Sequence, residues 1–250
     1  MELKRYLILS DVHLPFHNEE AYRLVLAYAK ELKPDQIIIL GDFADFYNIS
    51  SYGKSPLVSE KFSEEVDVVV RELRVLKEIC EDIVFIEGNH CNRLIRFIGQ
   101  NCKELGDFVS VEKLFFLGAM GIKFIPFEPS QLYKIPECEV YLRHRPLNGG
   151  IHCAYGTLMK AQKTVIFGDA HRMQRYFTTS IDGTEIEGIS VGWMGDKKSE
   201  VFKFTPHHIV WTMGFAVLTT RGNQYYVDQI HVKDKDGKFS FIADGNLWTT

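Results

Sequence analysis

The stretch QIIILGDFAD, residues 36–45, decides how the rest of the sequence can be interpreted. Its apolar, β-branched run is short, and it ends at a glycine followed by a carboxylate, Asp42. Pro34 and Asp35 come directly before it, so the run is typical of a buried strand and not of a helix. Strands buried on both faces occur in α/β layer structures, which place their chemistry beyond the carboxyl ends of the strands. Asp42 occupies that position, and we expect it to bridge two metal ions.

Composition and charge limit the class of protein. The 250 residues are 46% apolar and 25% charged, which is ordinary for a globular protein. The net charge of −4 gives no global basic field that would attract nucleic acid or an anionic membrane. We find no signal peptide and no apolar run near the roughly 20 residues that span a bilayer. The five cysteines form no C-x-x-C pair, so we expect a cytoplasmic protein with reduced thiols.

A second strand repeats the arrangement near the N-terminus. Residues 6–9 are apolar and are followed by the segment SDVH, which carries Asp11 and His13. A helix is predicted for residues 19–32 from its apolar stripe, and Pro34 ends it. Strand, helix and strand in this order indicate a right-handed βαβ unit.

The remaining segments alternate between strands and helices before an antiparallel C-terminal third. Residues 46–62 lack periodicity and form a long loop, and the sequence leaves open whether it is a lid or a subunit contact. The predicted helices are 64–80 (capped by Ser63), 92–103 and 152–162, and the predicted strands are 83–86, 121–125, 139–143, 164–167, 176–181, 185–191, 202–204, 213–219, 224–232 and 238–242.

Polar side chains that can bind metal follow five of these strands. Mixed carboxylate, imidazole and amide ligands suit a divalent transition metal such as manganese, iron or zinc. One aspartate shared between two ions, with histidines and an asparagine around it, describes a two-metal hydrolytic site. The residues, in chain order, are Asp11 and His13, then Asp42, then Asn89 and His90, then His144, then Asp169 and His171.

These blocks resemble the signature of the calcineurin-like metallophosphoesterases, which reads D-x-H, G-D-x-x-D, G-N-H-D/E, a strand-end histidine and G-H-x-H. The corresponding segments here are DVH (11–13), GDFAD (41–45), GNHC (88–91), His144 and GDAH (168–171). Four blocks in order, each after an apolar strand, make a specific signal. The resemblance extends over residues 7–172.

The resemblance implies a fold and an activity. The fold would be a four-layer α/β/β/α sandwich of two mixed sheets flanked by helices, with residues 1–250 as a single domain. Residues 1–172 would supply the metal ligands on βα units, and residues 173–250 would complete the second sheet with mostly antiparallel strands. The activity would be phosphoester hydrolysis by a water or hydroxide that two metal ions activate.

The resemblance also implies roles for single residues. Metal one would be held by Asp11, His13 and His171 with Asp42 bridging, and metal two by Asp42, Asn89, His144 and Asp169. The ions would be Mn²⁺ by preference, with iron, zinc or nickel as alternatives. Asp42, His90 and Arg93 would serve catalysis, with His90 protonating the leaving oxygen or stabilising charge. Asp45 would be structural and bond the local backbone.

The sequence departs from the family pattern at two positions. Asp169 stands where the first histidine of G-H-x-H is usual, which weakens metal two or favours a harder ion. Cys91 stands where a carboxylate would orient His90. The histidine of metal two is also open, since His152 is an alternative to His144.

Further side chains have two interpretations each. Arg93, Arg143, Arg145 and Arg172 are either phosphate ligands or surface residues, and Arg93 is the preferred phosphate ligand. The aromatic residues of the C-terminal third are expected in the core between the sheets rather than on a base-stacking platform. They are Trp193, Phe202, Trp211 and Phe215, while the histidines expected to be solvated or in loops are His17, His207, His208 and His231.

The function predicted from these observations is a metal-dependent phosphodiesterase or phosphomonoesterase. Asp169 and Cys91 together motivate a first alternative, a metal-binding scaffold with weakened catalysis. A second alternative is a nuclease acting on nucleic acid ends through a channel lined by Arg93, Arg145 and Arg172. The partners would be a phosphoester, a nucleotide or a nucleic acid, with no membrane, and the oligomeric state is open.

Overall fold

The computed structural model describes residues 2–203, 205 and 210–250. Each helix and strand of the N-terminal βαβ unit lies where the sequence predicts it: β1 is Leu3–Leu9, α1 is Glu19–Leu32 and β2 is Gln36–Leu40. The later helices are α2 (Phe62–Ile79), α3 (Arg93–Asn101), α4 (Val111–Leu114) and α5 (Cys153–Ala161), with 3-10 helices at Tyr47–Ile49 and Lys103–Leu105. Among the described residues, no helix is long and apolar enough to cross a bilayer.

The later strands follow the predicted order with small shifts at their ends. They are β3 (Ile83–Ile86), β4 (Lys123–Ile125), β5 (Tyr133–Lys134), β6 (Val140–Arg143), β7 (Thr164–Phe167), β8 (Gln174–Thr179), β9 (Glu185–Ser190), β10 (Gly214–Arg221), β11 (Gln224–His231), β12 (Lys233–Lys235), β13 (Lys238–Ala243) and β14 (Asn246–Thr249). The short strands β5, β12 and β14 were not predicted, because two to four residues carry little periodic signal.

The first sheet has the strand order β11-β10-β1-β2-β3-β4. Strands β1 to β4 are parallel, and Ile8 pairs with Ile38, which in turn pairs with Val84. Strands β10 and β11 continue the sheet in antiparallel fashion beyond β1. The second sheet has the order β5-β6-β7-β9-β8, in which β6, β7 and β9 are parallel.

Four layers result from how the two sheets bury their faces. One face of the first sheet packs under α1 and α2, with Leu7, Ile39 and Phe85 fully buried there. The opposite face, with Ile38, packs against the second sheet at Ile166. Helix α5 covers the outer face of the second sheet at Phe167. The predicted α/β/β/α sandwich of two mixed sheets is therefore confirmed.

The C-terminal residues are distributed differently from the expectation that residues 173–250 complete the second sheet. Only β8 and β9 join that sheet, whereas β10 and β11 extend the first sheet and β12 to β14 form a third sheet. Phe239 and Phe241 of the third sheet pack into the core on the α1 side, which explains its position. The assignment of residues 1–250 to a single domain stays a prediction.

Two local predictions are wrong. Residues 201–203 form turns instead of the predicted strand 202–204, because Phe202 packs against Trp193 with 5.1 Å between ring centroids. Phe204 lies outside the described residues. Helix α2 is not capped by Ser63 but begins earlier, after Lys61, whose amide donates to Glu64 Oε2 at 2.9 Å.

Ile38 tests the contact between the sheets. Its side chain is fully buried in the interface of the two sheets, so Ile38→Ala leaves a cavity there. We expect the substitution to lower the free energy of unfolding by about 2–5 kcal/mol, measured by urea denaturation. Ile242→Ala is the control, because Ile242 is 70% exposed, and it should change stability by less than about 0.5 kcal/mol. Equal effects of the two substitutions would contradict the layer assignment.

Candidate metal centre

The carboxyl ends of the parallel strands of both sheets meet at one edge of the sandwich. The turns after β1 and β2 are joined by hydrogen bonds from the Asp11 amide to the Gly41 carbonyl at 3.2 Å and from the His13 amide to the Asp42 carbonyl at 2.9 Å. The turn after β7 is joined to the first sheet, because the Asp169 amide donates to both Asp11 carboxylate oxygens at 3.1 and 3.2 Å. Side chains from distant parts of the sequence therefore converge.

One group of potential ligands comes from the turns after β1 and β7. His171 Nε2 lies 3.1 Å from Asp11 Oδ1 and 3.1 Å from His13 Nε2. Asp11, His13 and His171 are buried, and one atom of each lies within 4.8 Å of the others, a geometry that can hold a metal ion. His13 Nδ1 donates to Asp45 Oδ2 at 2.9 Å, so the lone pair of a neutral His13 is on Nε2 and faces this group.

A second group of potential ligands surrounds His144. Its Nε2 lies 3.1 Å from Asp42 Oδ2 and 3.0 Å from Asn89 Oδ1. Its Nδ1 lies 2.8 Å from the Leu40 carbonyl, which can only accept a hydrogen bond, so Nδ1 carries a proton. Asp42 Oδ2 is buried and, while His144 is neutral, receives no hydrogen bond from the described residues. The lone pairs of a neutral His144, Asp42 and Asn89 thus face one another, and a cation between them fits this arrangement.

The charges of the site also require a positive group at His144. Burial opposes a charge on this ring, but the carboxylates of Asp42, Asp11 and Asp169 raise the pKa of His144 to about 10. Burial likewise opposes ionisation of Asp42, yet His144 and His90 hold its pKa well below the usual range. In the absence of a bound cation, a proton on His144 balances the buried aspartates.

Asp169 and His152 lie apart from these groups. Asp169 Oδ1 is 4.0 Å from His144 Nε2, and its side chain is 25% exposed. Burial raises the pKa of Asp169, and so do Asp42 and Asp11, although His144 opposes them. His152 is exposed at the start of α5, whereas His144 is fully buried beside Asp42. The geometry therefore favours His144 over His152 as a ligand.

Five residues of the site have backbone in the left-handed region. Asp and His tolerate it better than most residues, but each such residue costs on the order of 1–3 kcal/mol. The turns persist because backbone bonds hold them on both sides, for example Met194 to the Asp11 carbonyl at 3.0 Å and Thr212 to the His171 carbonyl at 2.8 Å. The residues are Asp11, His13, Asp42, Asp169 and His171, with φ between 44° and 60°.

Two glycines leave the space that the ligands occupy. A Cβ atom on Gly88 would lie 2.0 Å from Asp42 Oδ1. A Cβ atom on Gly41, whose φ is +85°, would lie 2.1 Å from His144 Nδ1. Each distance is far below van der Waals contact, so any side chain at these positions displaces a potential metal ligand.

His90 belongs to a separate cluster with Asp45 and Arg93. The His90 amide donates to Asp42 Oδ1 at 2.8 Å, which fixes the residue next to the metal ligands. Its Nδ1 lies 3.1 Å from the Asp45 carbonyl and 3.2 Å from Asp45 Oδ2, and its Nε2 accepts from Arg93 at 3.0 Å. Burial disfavours the charged ring, but Asp42 and Asp45 raise the pKa of His90.

Asp45 has a larger role than the sequence predicted. Its carboxylate contacts the side chains of His13, His90 and Arg93, the last at 3.1 Å, and not simply the local backbone. Burial opposes its ionisation, but His90 and His13 hold the pKa of Asp45 far below the usual range. It thereby gives His90 a carboxylate partner, which Cys91 cannot provide, and the G-D-x-x-D spacing was the available signal.

Cys91 and two buried glutamates lie behind the site. Cys91 is fully buried in the α1–α2 core, and burial raises the pKa of its thiol well above the usual range. Burial, then Asp45, raises the pKa of Glu65 well above its usual range, and its Oε1 accepts from the Phe46 amide. Burial also raises the pKa of Glu87 to about 7. These raised pKa values reduce the negative charge that the two glutamates add beside the aspartates.

A cleft of about 550 Å³ opens over His13, His171 and the His90 cluster. One wall is the loop 46–62, which the sequence marked as a possible lid, and it contributes Tyr47 and Tyr52. Another part of its lining comes from Glu200, Val201, Phe202, Thr205 and Trp211. The site is therefore accessible to a ligand larger than a phosphate ion.

The aromatic residues expected between the sheets lie mostly beside the histidines instead. Trp193 is fully buried and stacks on His171 with an interplanar angle of 17° and 5.4 Å between centroids. Trp211 meets His171 edge-on at 4.3 Å, and Phe202 meets His13 at 5.4 Å. Phe215 is in the core as expected, but under α1. Trp193 and Phe202 are core residues as expected, but the cluster that they form with Phe16 lies beside the histidines and not between the sheets. Trp211 is only partly buried against this cluster.

Of the four arginines, Arg93 lines the cleft. Arg145 is exposed and its Nε lies 3.7 Å from Asp169 Oδ2. Arg143 donates to the Arg145 carbonyl at 2.6 Å, and Arg172 donates to the Gly150 carbonyl at 3.2 Å. The last three do not line the cleft, so they give no support to the arginine-lined channel.

The remaining histidines lie outside the two ligand groups or outside the described residues. His17 Nε2 contacts Glu19 Oε2 at 2.6 Å. His231 is exposed between the buried Ile230 and Val232, as predicted. The pair His207 and His208 lies outside the described residues.

Gly88→Ala tests whether close approach of the strand ends is needed for metal binding. The added methyl group would collide with Asp42 Oδ1, so we expect at least a tenfold lower affinity for Mn²⁺, measured by titration calorimetry. Gly99→Ala, on α3, is the matched control, because its Cβ atom would have no neighbour within 4 Å. Unchanged Mn²⁺ affinity in Gly88→Ala would refute the assignment of Asp42 as a ligand.

The chain is similar to several known proteins. The gene 54 proteins of Mycobacterium phages L5 and D29 are 26% and 24% identical to the chain, each over 266 residues and with 98% of both chains covered. Similar solved structures include Vps29 from Chaetomium thermophilum, with 8% identity, a TM-score of 0.48 and 99% and 94% of the two chains covered. They also include the phosphoesterase YfcE from E. coli, with 15% identity, a TM-score of 0.43 and 98% of each chain covered.

The family itself is established from the sequence profile of the calcineurin-like phosphoesterases. That profile matches residues 4–243, which is nearly the whole chain and includes both groups of potential metal ligands. The chain belongs to the calcineurin-like phosphoesterase family.

Proposed function

We propose that the protein is a phosphoester hydrolase with two divalent metal ions. The observation that carries the proposal is the position of the two ligand groups, which meet at Asp11 and Asp42 on one edge of the sandwich. The His90 cluster and the cleft adjoin them. Membership of the phosphoesterase family supports the reaction class.

The donor atoms suit the ions that we propose. Asp11, His13 and His171 would hold one ion, and His144 and Asn89 the other, with Asp42 between them. Carboxylate, imidazole and amide donors favour Mn²⁺, with iron, zinc and nickel as alternatives. The bound ions would supply an activated water and electrostatic stabilisation of the phosphoryl oxygens. We assign Asp169 a weak or indirect contribution, since its nearest oxygen is 4.0 Å from His144 Nε2.

The chain itself would supply the proton for the leaving group. Asp45 holds His90 through Nδ1, so Nε2 is the atom that can exchange a proton with the substrate. Arg93 donates to that same Nε2 at 3.0 Å, so it must move before Nε2 can carry a proton. A substrate phosphate in the cleft would attract the guanidinium and release Nε2. Binding of the substrate and protonation of His90 would thus be linked.

The cleft favours a phosphoester with a bulky group. Its volume of about 550 Å³ lies in the range of pockets for small organic ligands, well above what a phosphate needs. Tyr47, Tyr52 and Trp211 give its walls aromatic surface, and Ser50 and Ser55 add hydroxyl groups. We therefore propose a phosphodiester or nucleotide-like substrate ahead of a simple phosphomonoester.

Asp42→Ala and His90→Gln separate metal binding from proton transfer. Asp42→Ala removes the shared ligand, so we expect loss of both bound metal and hydrolysis of bis(p-nitrophenyl) phosphate. His90→Gln should keep the metal but lower turnover by about 10²–10⁴-fold, since it removes a general acid. Metal content is measured by elemental analysis of the purified proteins in parallel with turnover.

Two results would contradict this assignment. Full turnover in Asp42→Ala would show that the reaction does not depend on the centre described here. Equal loss of metal in both variants would remove His90 from the proposed role in proton transfer. His231→Gln is a suitable control, because His231 is an exposed histidine on β11, away from the ligand groups.

Asp169→His distinguishes the hydrolase from a weakened scaffold. A histidine reaches further than an aspartate and would approach the ion beside His144. If weak binding of the second ion limits turnover, the variant should bind Mn²⁺ more tightly. Its turnover should then be about tenfold faster. Lower turnover with tighter binding would show that Asp169 suits the native reaction. Cys91→Asp is less informative, because a carboxylate there would be buried in the apolar core.

A further inference from the structure

A second groove, of about 490 Å³, lies beside the metal cleft. Four lysines line it: Lys197 and Lys198 in the turn after Asp196, and Lys233 and Lys235 on β12. The two on β12 are two residues apart on a strand, so their side chains share one face. All four are exposed.

The lysines give this groove a positive charge in a chain whose net charge is −4. None of the four forms an ion pair with another described residue. The groove also contains two carboxylates, but each accepts a backbone hydrogen bond: Asp196 from the Lys198 amide and Asp234 from the Gly237 amide, both at 2.9 Å. The groove therefore has four solvent-exposed ammonium groups and only two carboxylates, and each carboxylate also stabilises a turn.

Lys197 and Lys233 both influence the charge of His231, which lines the groove, although the two lysines are far apart in the sequence. Partial desolvation, followed by the charges of Lys233 and Lys197, lowers the pKa of His231. The turn at Lys197 is held in place by the Asp196 amide, which donates to the Phe16 carbonyl at 2.9 Å. Phe16 belongs to the segment that carries His13, so the groove has a defined position relative to the metal ligands.

Trp211 connects the groove to the metal cleft, because it lines both. Its ring lies edge-on to His171, a potential metal ligand, with 4.3 Å between centroids, and it packs on Trp193 at 4.6 Å. It is partly exposed, so one part of the ring is available to a ligand. A ligand that occupied both the metal cleft and the lysine-lined groove would therefore contact Trp211.

We propose that this groove binds the phosphate backbone of a single-stranded nucleic acid whose reacting phosphodiester lies in the metal cleft. Lys197, Lys198, Lys233 and Lys235 would contact successive phosphates, and Trp211 would contact a base at the junction. The inference rests on the proposed function and specifies its substrate class.

The combination of groups favours nucleic acid over other polyanions. Proteins that bind single strands without sequence preference combine a positively charged groove with aromatic side chains on which bases stack. An acidic peptide would use the lysines but would gain little from an aromatic ring beside the metal centre. The exposed lysines match flexible phosphate contacts, which need point charges and no fixed geometry.

The test is the binding of a fluorescein-labelled 12-nucleotide thymidine oligomer to the full chain, in EDTA so that no hydrolysis occurs. Neutralising two phosphate contacts with Lys197→Gln/Lys233→Gln should weaken binding about 10- to 30-fold at about 0.1 M salt. The slope of log K against log salt concentration should become shallower by about 1.4, since each contact on a single strand contributes about 0.7.

Lys30→Gln/Lys103→Gln is the matched control, because both lysines are exposed and line neither the groove nor the cleft. It removes the same charge and should bind the oligomer like the unmodified chain. Equal weakening in both double variants would overturn the groove, since only net charge would matter. Poly-glutamate and unlabelled thymidine oligomer are compared as competitors of the labelled oligomer. If poly-glutamate displaces the labelled oligomer as effectively, the assignment to nucleic acid is overturned.

Hydrolysis of bis(p-nitrophenyl) phosphate by the unmodified chain with Mn²⁺ separates this inference from the proposed function. Lysine-dependent binding of the oligomer without any turnover of the small diester would refute the hydrolase and leave the groove intact. If the small diester is hydrolysed but the Lys197→Gln/Lys233→Gln substitutions do not change oligomer affinity, only the proposed role of the groove is refuted.

Discussion

The position of Asp42 is the constraint on which the rest of the site depends. Its carbonyl accepts from the His13 amide, its Oδ1 accepts from the His90 amide, and its Oδ2 faces His144. These contacts join β1, β2, β3 and β6, so both sheets must be in register for the site to form. The space exists only because Gly41 and Gly88 have no side chains. A shift of any strand end by one residue would separate the ligands.

Balance of charge is the second requirement. Asp11 and Asp42 are buried with ligand atoms within 4.8 Å of each other, and Asp45 is buried beside His13 and His90. Buried carboxylates are costly without positive partners. His144 supplies a positive charge when protonated, and the lone pairs around it suit a metal ion equally. The left-handed turns at five of these residues add strain that the packed sheets offset. The packed sheets therefore hold these turns and their buried aspartates in an arrangement that the isolated turns would not adopt.

The surroundings of the site divide into a charged and an aromatic part. His90 and Arg93 provide groups that can handle a proton and a phosphate, and Asp45 positions both. Trp193, Trp211 and Phe202 pack around the histidines on the other side. Trp211 leads from there to the lysines, whereas Arg145 and Arg172, which suggested a channel from the sequence, do not line the cleft. The basic surface lies on the C-terminal strands, in a chain whose net charge is negative.

The sequence alone determined the longer strands, the main helices and the strand-end residues, because short-range patterns specify them: apolar runs before Asp11, Asn89 and Asp169, and an apolar stripe ended by Pro34 for α1. The tertiary structure decided which side chains touch. Asp45 reaches three side chains, Asp169 stays 4.0 Å from His144, and β10 joins the first sheet. Such contacts join residues that are far apart in the sequence, as His13 and His171 also show with 3.1 Å between their Nε2 atoms across 158 positions, and no local pattern encodes them.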